Sequence, residues 1–378
     1  MNYRKYLTDD ILAFWQKHGI DYENGGIHTL LDEHGRKKDS KKAIWFTGRS
    51  LWTYAVAYNT VEKKKEYLDV CERLYGFYKK CRLPNGRLPY ITDNYGNMLE
   101  IKESFHSELF AAIGCAQYYK ACKKEEVKKL AIEFFNIVYS MYKSGDARIN
   151  RNDAENPKYI FGIEMMILFT AQFMRSSGIE DKRFEELASD ALYNIENCGF
   201  INDKFNITNE YSDITTNKCP NPRESFSCMG HIYAASWIVM SEAMIKNDCK
   251  ILELGKKLLD TALSFEDEKT PKLVKLGNTS KADEYLWWPQ CEAIIAYYTA
   301  YSVFGDENYL KLAKNIEDTS LGYFADTKNG EWYTSVKKDG TPINTDKGGM
   351  IKGPFHLPRM IIAMVILNET GSLINYLS

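Results

Sequence analysis

Apolar residues recur at i, i+3, i+4 and i+7 through most of this chain, and the recurrence comes in pairs of helices. Helical segments are predicted near 3–18, 45–60, 63–80, 104–120, 124–142, 161–176, 182–196, 229–245, 249–265, 284–302, 306–319 and 355–369. The leading helices of five consecutive hairpins begin near 45, 104, 161, 229 and 284, and a sixth near 355 can pair with the N-terminal helix. Hairpins repeating at such a period build either an open solenoid, which needs capping repeats, or a closed toroid. A last helix that can pair with the first favours closure.

The leading and trailing helices differ in character. Stretches such as IWFTGRSLWTYAVAY, FHSELFAAIGCAQYY and LWWPQCEAIIAYY are apolar nearly all round, as buried helices are. KKEEVKKLAIEFFNIVYSMYK and KRFEELASDALYNI carry a charged face and suit an outer ring. Six inner helices wrapped by six outer ones give an all-α (α/α)6 barrel, with YENGGIHTLLDEHGRK and GEWYTSVKKDGTPI as short β-hairpins at one end. No linker rich in Pro, Gly or Ser interrupts the chain, so residues 1–378 read as one catalytic domain.

Composition narrows the partners. With 49 Lys+Arg against 51 Asp+Glu the formal charge is -2, so there is no basic field to hold nucleic acid or an anionic membrane. The apolar runs Tyr159 to Met174 and Leu357 to Leu367, interrupted by Glu164 and Arg359, are too short or too polar to span a bilayer. The N-terminus lacks the pattern of a secretory signal, and nine scattered cysteines without a C-x-x-C pair read as reduced thiols, so a cytoplasmic protein is expected. At 13% aromatic residues the chain holds many flat surfaces with polar handles, suited to wide helix packing or to stacking on sugars.

Of six histidines, His106, His231 and His356 lie at or near the starts of inner helices. Pro354 and Pro358 bracket His356 and set a helix start around Leu357, Gly230 precedes His231, and Pro289 sets a start after Trp288 with Glu292 one turn inside. If the inner helices run parallel, their N-termini share one mouth, where Arg49, Glu108, His231, Trp288, Glu292 and His356 would converge. Any one of these alone is more often a satisfied core or capping group, and it is their common position in successive repeats that points to a site.

These residues bring a family into view. Trp45, Gly48, Arg49, Trp52, Tyr58 and Asn59, then Gly230-His231 with Trp237, then WWPQCEA and finally KGGMIKGPFHLPR, stand in an order and spacing that resembles the N-acylglucosamine 2-epimerase family from Phe14 to Met364. That family includes cellobiose 2-epimerases and aldose-ketose isomerases. The resemblance implies an (α/α)6 barrel, His231 and His356 as the acid/base pair, and a substrate pocket with Arg49, Glu292, Trp288 and Trp45, to which the helix-start reading adds Glu108. Two positions depart from the family: Ala234 stands where many members have glutamate, and Glu164 where relatives tend to be uncharged. Glu164 is therefore expected to face the cavity and partly replace the missing carboxylate, with a salt bridge in the barrel wall as the competing reading. No G-x-x-x-x-G-K phosphate loop is present.

The chemistry suits two imidazoles. Epimerising a sugar at C2 removes the proton alpha to the open-chain aldehyde and returns one on the opposite face, which needs two groups that exchange protons near neutrality. No metal-ligand cluster is evident, so neither metal nor cofactor is expected, and the partner is a small sugar, with a homodimer left open. An aldose-ketose isomerase would use the same enediolate and reprotonate C1. A glycoside hydrolase would need paired carboxylates, for which Glu108, Glu164, Asp213 and Glu292 are the candidates, and would leave the histidines unexplained. A binding protein would have no need of both histidines, the arginine and the glutamate.

Overall fold

The computed structural model describes residues 1–145, 148–150, 157–266, 271–278, 283–371 and 373. Twelve helical segments are found among them. Helix α1 opens at Tyr3–Tyr6 and continues through π-helical stretches at Leu7–Leu12 and Trp15–Gly19. The others are α2 (Ile44–Thr60), α3 (Lys65–Cys81), α4 (His106–Cys122), α5 (Glu125–Lys143), α6 (Phe161–Arg175) and α7 (Arg183–Asn197). They are followed by α8 (Met229–Lys246), α9 (Cys249–Ser264), α10 (Trp287–Phe304), α11 (Glu307–Phe324) and α12 (His356–Thr370).

The even-numbered helices form a closed ring. α2 packs on α4, α4 on α6, α6 on α8, α8 on α10, α10 on α12, and α12 returns to α2. α3, α5, α7, α9 and α11 each pack on the inner helix before them, and α1 closes the outer ring against α12. This is the (α/α)6 barrel expected from the repeat. The physical division is plain in α4 and α5: α4 buries every residue from Ser107 to Tyr118, whereas α5 buries only the stripe Val127, Leu130, Ala131, Phe134, Phe135, Val138 and Tyr142. Each large apolar side chain on that stripe contributes about 1.5–3 kcal/mol on leaving water.

Short strands lie where inner helices begin. Lys42–Ala43, Lys158–Ile160 and Tyr285–Leu286 run directly into α2, α6 and α10, and each belongs to a three-stranded antiparallel sheet. The pairing of Tyr285–Leu286 with Ser335–Val336 is why α10 starts at Trp287 rather than near 284. Of the two expected hairpins, the second forms strands at Ser335–Val336 and Pro342–Asn344, while the first makes only isolated bridges, Ile20 with Ile27 and Leu31 with Lys37.

Those two segments share a buried device. Asp21 and Asp326 each accept backbone N–H groups two and three residues on, and each meets a buried lysine 21 residues later, Lys42 at 2.7 Å and Lys347 at 2.9 Å. Burial works against both carboxylates, but the turn and lysine contacts hold each at about 2. A third buried lysine, Lys352, donates to Glu331 at 2.8 Å and to the Trp332 carbonyl at 2.7 Å, which pins the segment leading into His356.

Candidate active site

A cavity of about 330 Å³ opens at the N-terminal ends of the inner helices, a size within the usual range for small-ligand sites. Its lining comes from all six: Arg49 of α2, Phe110 of α4, Met165 of α6, His231 of α8, Trp288 of α10 and His356 of α12 are examples. Two histidines of the sequence reading therefore share one cavity with Arg49, Trp45 and Trp288.

Trp288 lies against both imidazoles, its ring centroid 5.5 Å from that of His231 and 5.4 Å from that of His356. Glycine makes room for it: a Cβ on Gly230 would lie 2.2 Å from the Trp288 ring. Each histidine rests on a carboxylate. His231 Nδ1 is 2.9 Å from Glu210 Oε2, and His356 Nδ1 is 2.7 Å from Glu292 Oε1. An ionised carboxylate only accepts, so each Nδ1 carries a proton and Nε2 is the nitrogen left for chemistry.

The two carboxylates are held differently. Glu210 is fixed by main chain: its N–H donates to the Phe226 carbonyl, its carbonyl accepts from Phe161, and its Oε1 accepts from Gly162 N at 3.1 Å. A Cβ at Gly162 would sit 2.9 Å from both Glu210 Oε1 and the His231 ring, so this contact requires glycine. Glu292 is wholly buried and also accepts from Trp237 Nε1 at 3.0 Å and from the Arg359 guanidinium. Arg359 lies over Phe355 at 4.5 Å, and Arg49 lies over the same ring at 4.7 Å and over Phe110 at 4.4 Å. Such desolvated cation–π contacts are worth about 2 kcal/mol each and offset part of the cost of burying two guanidinium groups together.

These surroundings set the charges. Burial, with Arg359 and Arg49 close by, outweighs the pull of Glu292 and pushes His356 down to about 3. Glu292, although burial opposes its charge, is held at about 2 by Arg359 and His356. His231 goes the other way, because Cys228 and the Glu210 carboxylate outweigh burial and raise it well above the usual 6.5. Near neutrality His356 is a neutral base and His231 an imidazolium. Arg49 is depressed by burial and by Arg359 but remains charged.

Three expected lining residues are placed elsewhere. Glu292 lies behind His356 and does not line the cavity. Glu108 is fully buried in the wall, where its Oε1 accepts from Arg87 Nε at 2.6 Å and Leu88 N at 2.9 Å. Glu164 is also fully buried, accepting from Arg148 Nε at 2.6 Å, Tyr142 Oη at 2.5 Å and Asn194 Nδ2 at 3.2 Å. The cavity reading of Glu164 is corrected to a wall salt bridge: a cation from the loop after α5 reaches it first. Ala234 and Ile238, one and two turns below His231, together with Met165 leave this floor apolar. Among the described residues no carboxylate lines the cavity.

Sequence reasoning missed two members. Arg359 was visible as the charge interrupting an apolar helix three residues after His356. Glu210 sits beside a short strand without periodicity, and only folding brings it to His231. It missed also that Cys228, Glu210 and His231 place one sulfur, one oxygen and one nitrogen within 4.8 Å of one another.

The profile of the N-acylglucosamine 2-epimerase (GlcNAc 2-epimerase) family matches residues 25–356. The chain is 25% identical over 389 residues to N-acylglucosamine 2-epimerase of Rattus norvegicus, covering 93% of this chain and 88% of that protein. It is 24% identical over 394 residues to cellobiose 2-epimerase of Bacteroides fragilis, covering 96% and 97%. Its fold is that of a sugar epimerase from a ruminal bacterium, with a TM-score of 0.83 at 22% identity over 97% of this chain and 98% of the other. The chain belongs to the N-acylglucosamine 2-epimerase family, a family of isomerase-class enzymes.

Proposed function

We propose that the protein is a 2-epimerase of a free reducing sugar, an N-acylhexosamine or a glucose/mannose-type sugar including cellobiose, working through His231 and His356. The observation that carries this reading is the pair of imidazoles that line one cavity against Trp288, each with Nδ1 on a carboxylate, which leaves Nε2 for proton transfer. In one direction, neutral His356 takes the C2 proton of the open-chain aldehyde. The electrons move into a C1–C2 enediolate, or into the C1 enolate where C2 carries an acylamino group, and protonated His231 returns a proton to the other face of C2. The reverse reaction exchanges the roles. Arg49 and Arg359 face the developing oxyanion, and the N-termini of the inner helices add their positive ends. Nine free cysteines support a cytoplasmic setting.

Paired-carboxylate glycoside hydrolysis finds no support, since Glu108, Glu164 and Glu292 are all sealed behind the lining and Asp213 is engaged with the turn at Thr215 and Thr216. Aldose-ketose isomerisation remains the second reading, because reprotonation at C1 uses the same enediolate and the same two imidazoles. Incubation with free sugars in heavy water, followed by NMR, separates the two. Deuterium at C2 with a new 2-epimer is expected. A labelled ketose transfers the assignment to an isomerase, and no exchange on any sugar removes both.

A further inference from the structure

Cys228 takes no part in the proton transfers above, yet its sulfur, a Glu210 oxygen and a His231 nitrogen lie within 4.8 Å of one another, with Glu210 Oε2 and His231 Nδ1 at 2.9 Å. Cys228 caps α8 and His231 follows in its first turn, a Cys-x-x-His spacing that puts both side chains at one helix end. Glu210 and Cys228 are buried, while the His231 side chain is 34% exposed and opens to the cavity, which gives an ion a path in. Bonds of about 2.0–2.3 Å to nitrogen, oxygen and sulfur set tetrahedral ligands roughly 3.3–3.7 Å apart, so shifts of about 1 Å would close the set on one ion. One thiolate, one imidazole and one carboxylate form a donor set for a borderline-soft divalent metal, and the fourth position would face the cavity.

We propose that Glu210, Cys228 and His231 form a binding site for Zn2+ and its analogues Co2+ and Cd2+, whose occupancy reversibly silences the enzyme. The ion displaces the thiol proton of Cys228 and the Nδ1 proton of His231, both of which leave to solvent. The ring is then a metal-bound neutral imidazole whose one proton, on Nε2, is far less acidic than that of the imidazolium, so its transfer to C2 is suppressed. The inhibition rests on the proposed role of His231, but the binding does not.

The test is a titration of the full chain with Co2+, reading thiolate-to-cobalt charge-transfer absorption, alongside Zn2+ inhibition of sugar turnover and its reversal by a chelator. A one-equivalent absorption band is expected, with inhibition that the chelator relieves. In C228A, or in C228S if the alanine variant does not fold, the band disappears and the inhibitory Zn2+ concentration, measured against that variant's own uninhibited rate, rises by about tenfold or more. Absence of the band in the wild-type protein overturns the site, as does a band or an inhibition constant unchanged by loss of the sulfur. The absorption needs no turnover, so failure of the epimerase reading would leave this outcome legible.

Discussion

His231 and His356 occupy comparable places, in the first turns of α8 and α12, and each rests on a glutamate, yet their environments drive them to opposite charge states. Around His356 the carboxylate is already neutralised: Glu292 is wholly buried and shared with Arg359 and Trp237, so little attraction is left to hold a proton on a ring that is only 14% exposed. Around His231 the carboxylate meets no competing cation among the described residues, only a backbone N–H, and the ring is more open. One chemical group paired with one chemical group thus yields a base in one case and an acid in the other. What separates them is deeper burial with Arg359 and Arg49 beside His356 on one side, and Cys228 next to the ring together with an unshared Glu210 on the other.

The comparison breaks first at the histidines themselves. His231→Ala and His356→Ala should each lower kcat by about 10²–10⁴-fold, the usual weight of a positioned acid or base, with circular dichroism unchanged. Because one imidazole serves each face, solvent deuterium should still wash into C2 slowly in the variant that keeps the base for a given sugar, while the epimer fails to form. Epimer formed at the wild-type rate by either variant overturns the two-sided relay.

Glu292→Gln comes next and should act twice. The amide leaves Arg359 buried without its anion beside Arg49, a change that costs about 3–5 kcal/mol and should show as a lower melting temperature. The amide also has one acceptor oxygen where Glu292 had two for three donors, so where its NH2 faces His356 Nδ1 the tautomer with a proton on Nε2 is favoured and kcat falls toward the lower end of the range for a lost base. A stable variant with normal kcat would show that Glu292 neither holds the tautomer nor compensates the arginine.

Glu210→Gln should be gentler and visible mainly in pH. The wild-type profile of kcat/KM is expected to lose activity on the acid side only far below 6.5, as His356 is held down at about 3, and on the alkaline side above 6.5, as His231 is held up. Removing the Glu210 charge lowers the His231 pKa, so the alkaline limb should move to lower pH while the acid limb stays. For stability the sign is the same: the raised His231 contributes fully below 6.5, and that contribution fades as pH climbs through its folded value. An alkaline limb that does not move, measured with chelator present, separates Glu210 from His231.

Much of this contrast was already readable in the chain. The helix pairs were legible because each inner helix is apolar all round and each outer one has a stripe, and the ring closes as the spacing of helix starts implies. His231, His356, Arg49 and Trp288 were legible because they recur at one position of the repeat, and Trp45 through the motif shared with the family. The carboxylates were not. Glu108 and Glu164 look like site residues on a helical wheel, and what removes them is Arg87 and Arg148, which reach in from loops that periodicity cannot place. Glu210 was hidden for the converse reason, since its partner is fixed by the strand that aligns Tyr211 with Ile160 and by the bare backbone of Gly162.

Glu164 gives the smallest kinetic effect and the cleanest control, because it is a buried, cation-paired glutamate in an inner helix like Glu292, without a histidine in front of it. Burial raises its pKa against the pull of Arg148, Tyr142 and Asn194, so its ionised form depends on those three contacts. Glu164→Gln keeps the shape and an acceptor but loses the charge on a bridge whose arginine is only 16% exposed. Loss of charge-assisted hydrogen bonds should cost roughly 1–3 kcal/mol, read as a lower denaturation midpoint with unchanged slope. Because the side chain lies outside the cavity lining, kcat and KM should stay within error of wild type for every sugar that is turned over. A raised KM or altered sugar preference at full stability would return Glu164 to the pocket, and would mean that the α6 side of the barrel opens toward substrate in a way the buried pair does not suggest.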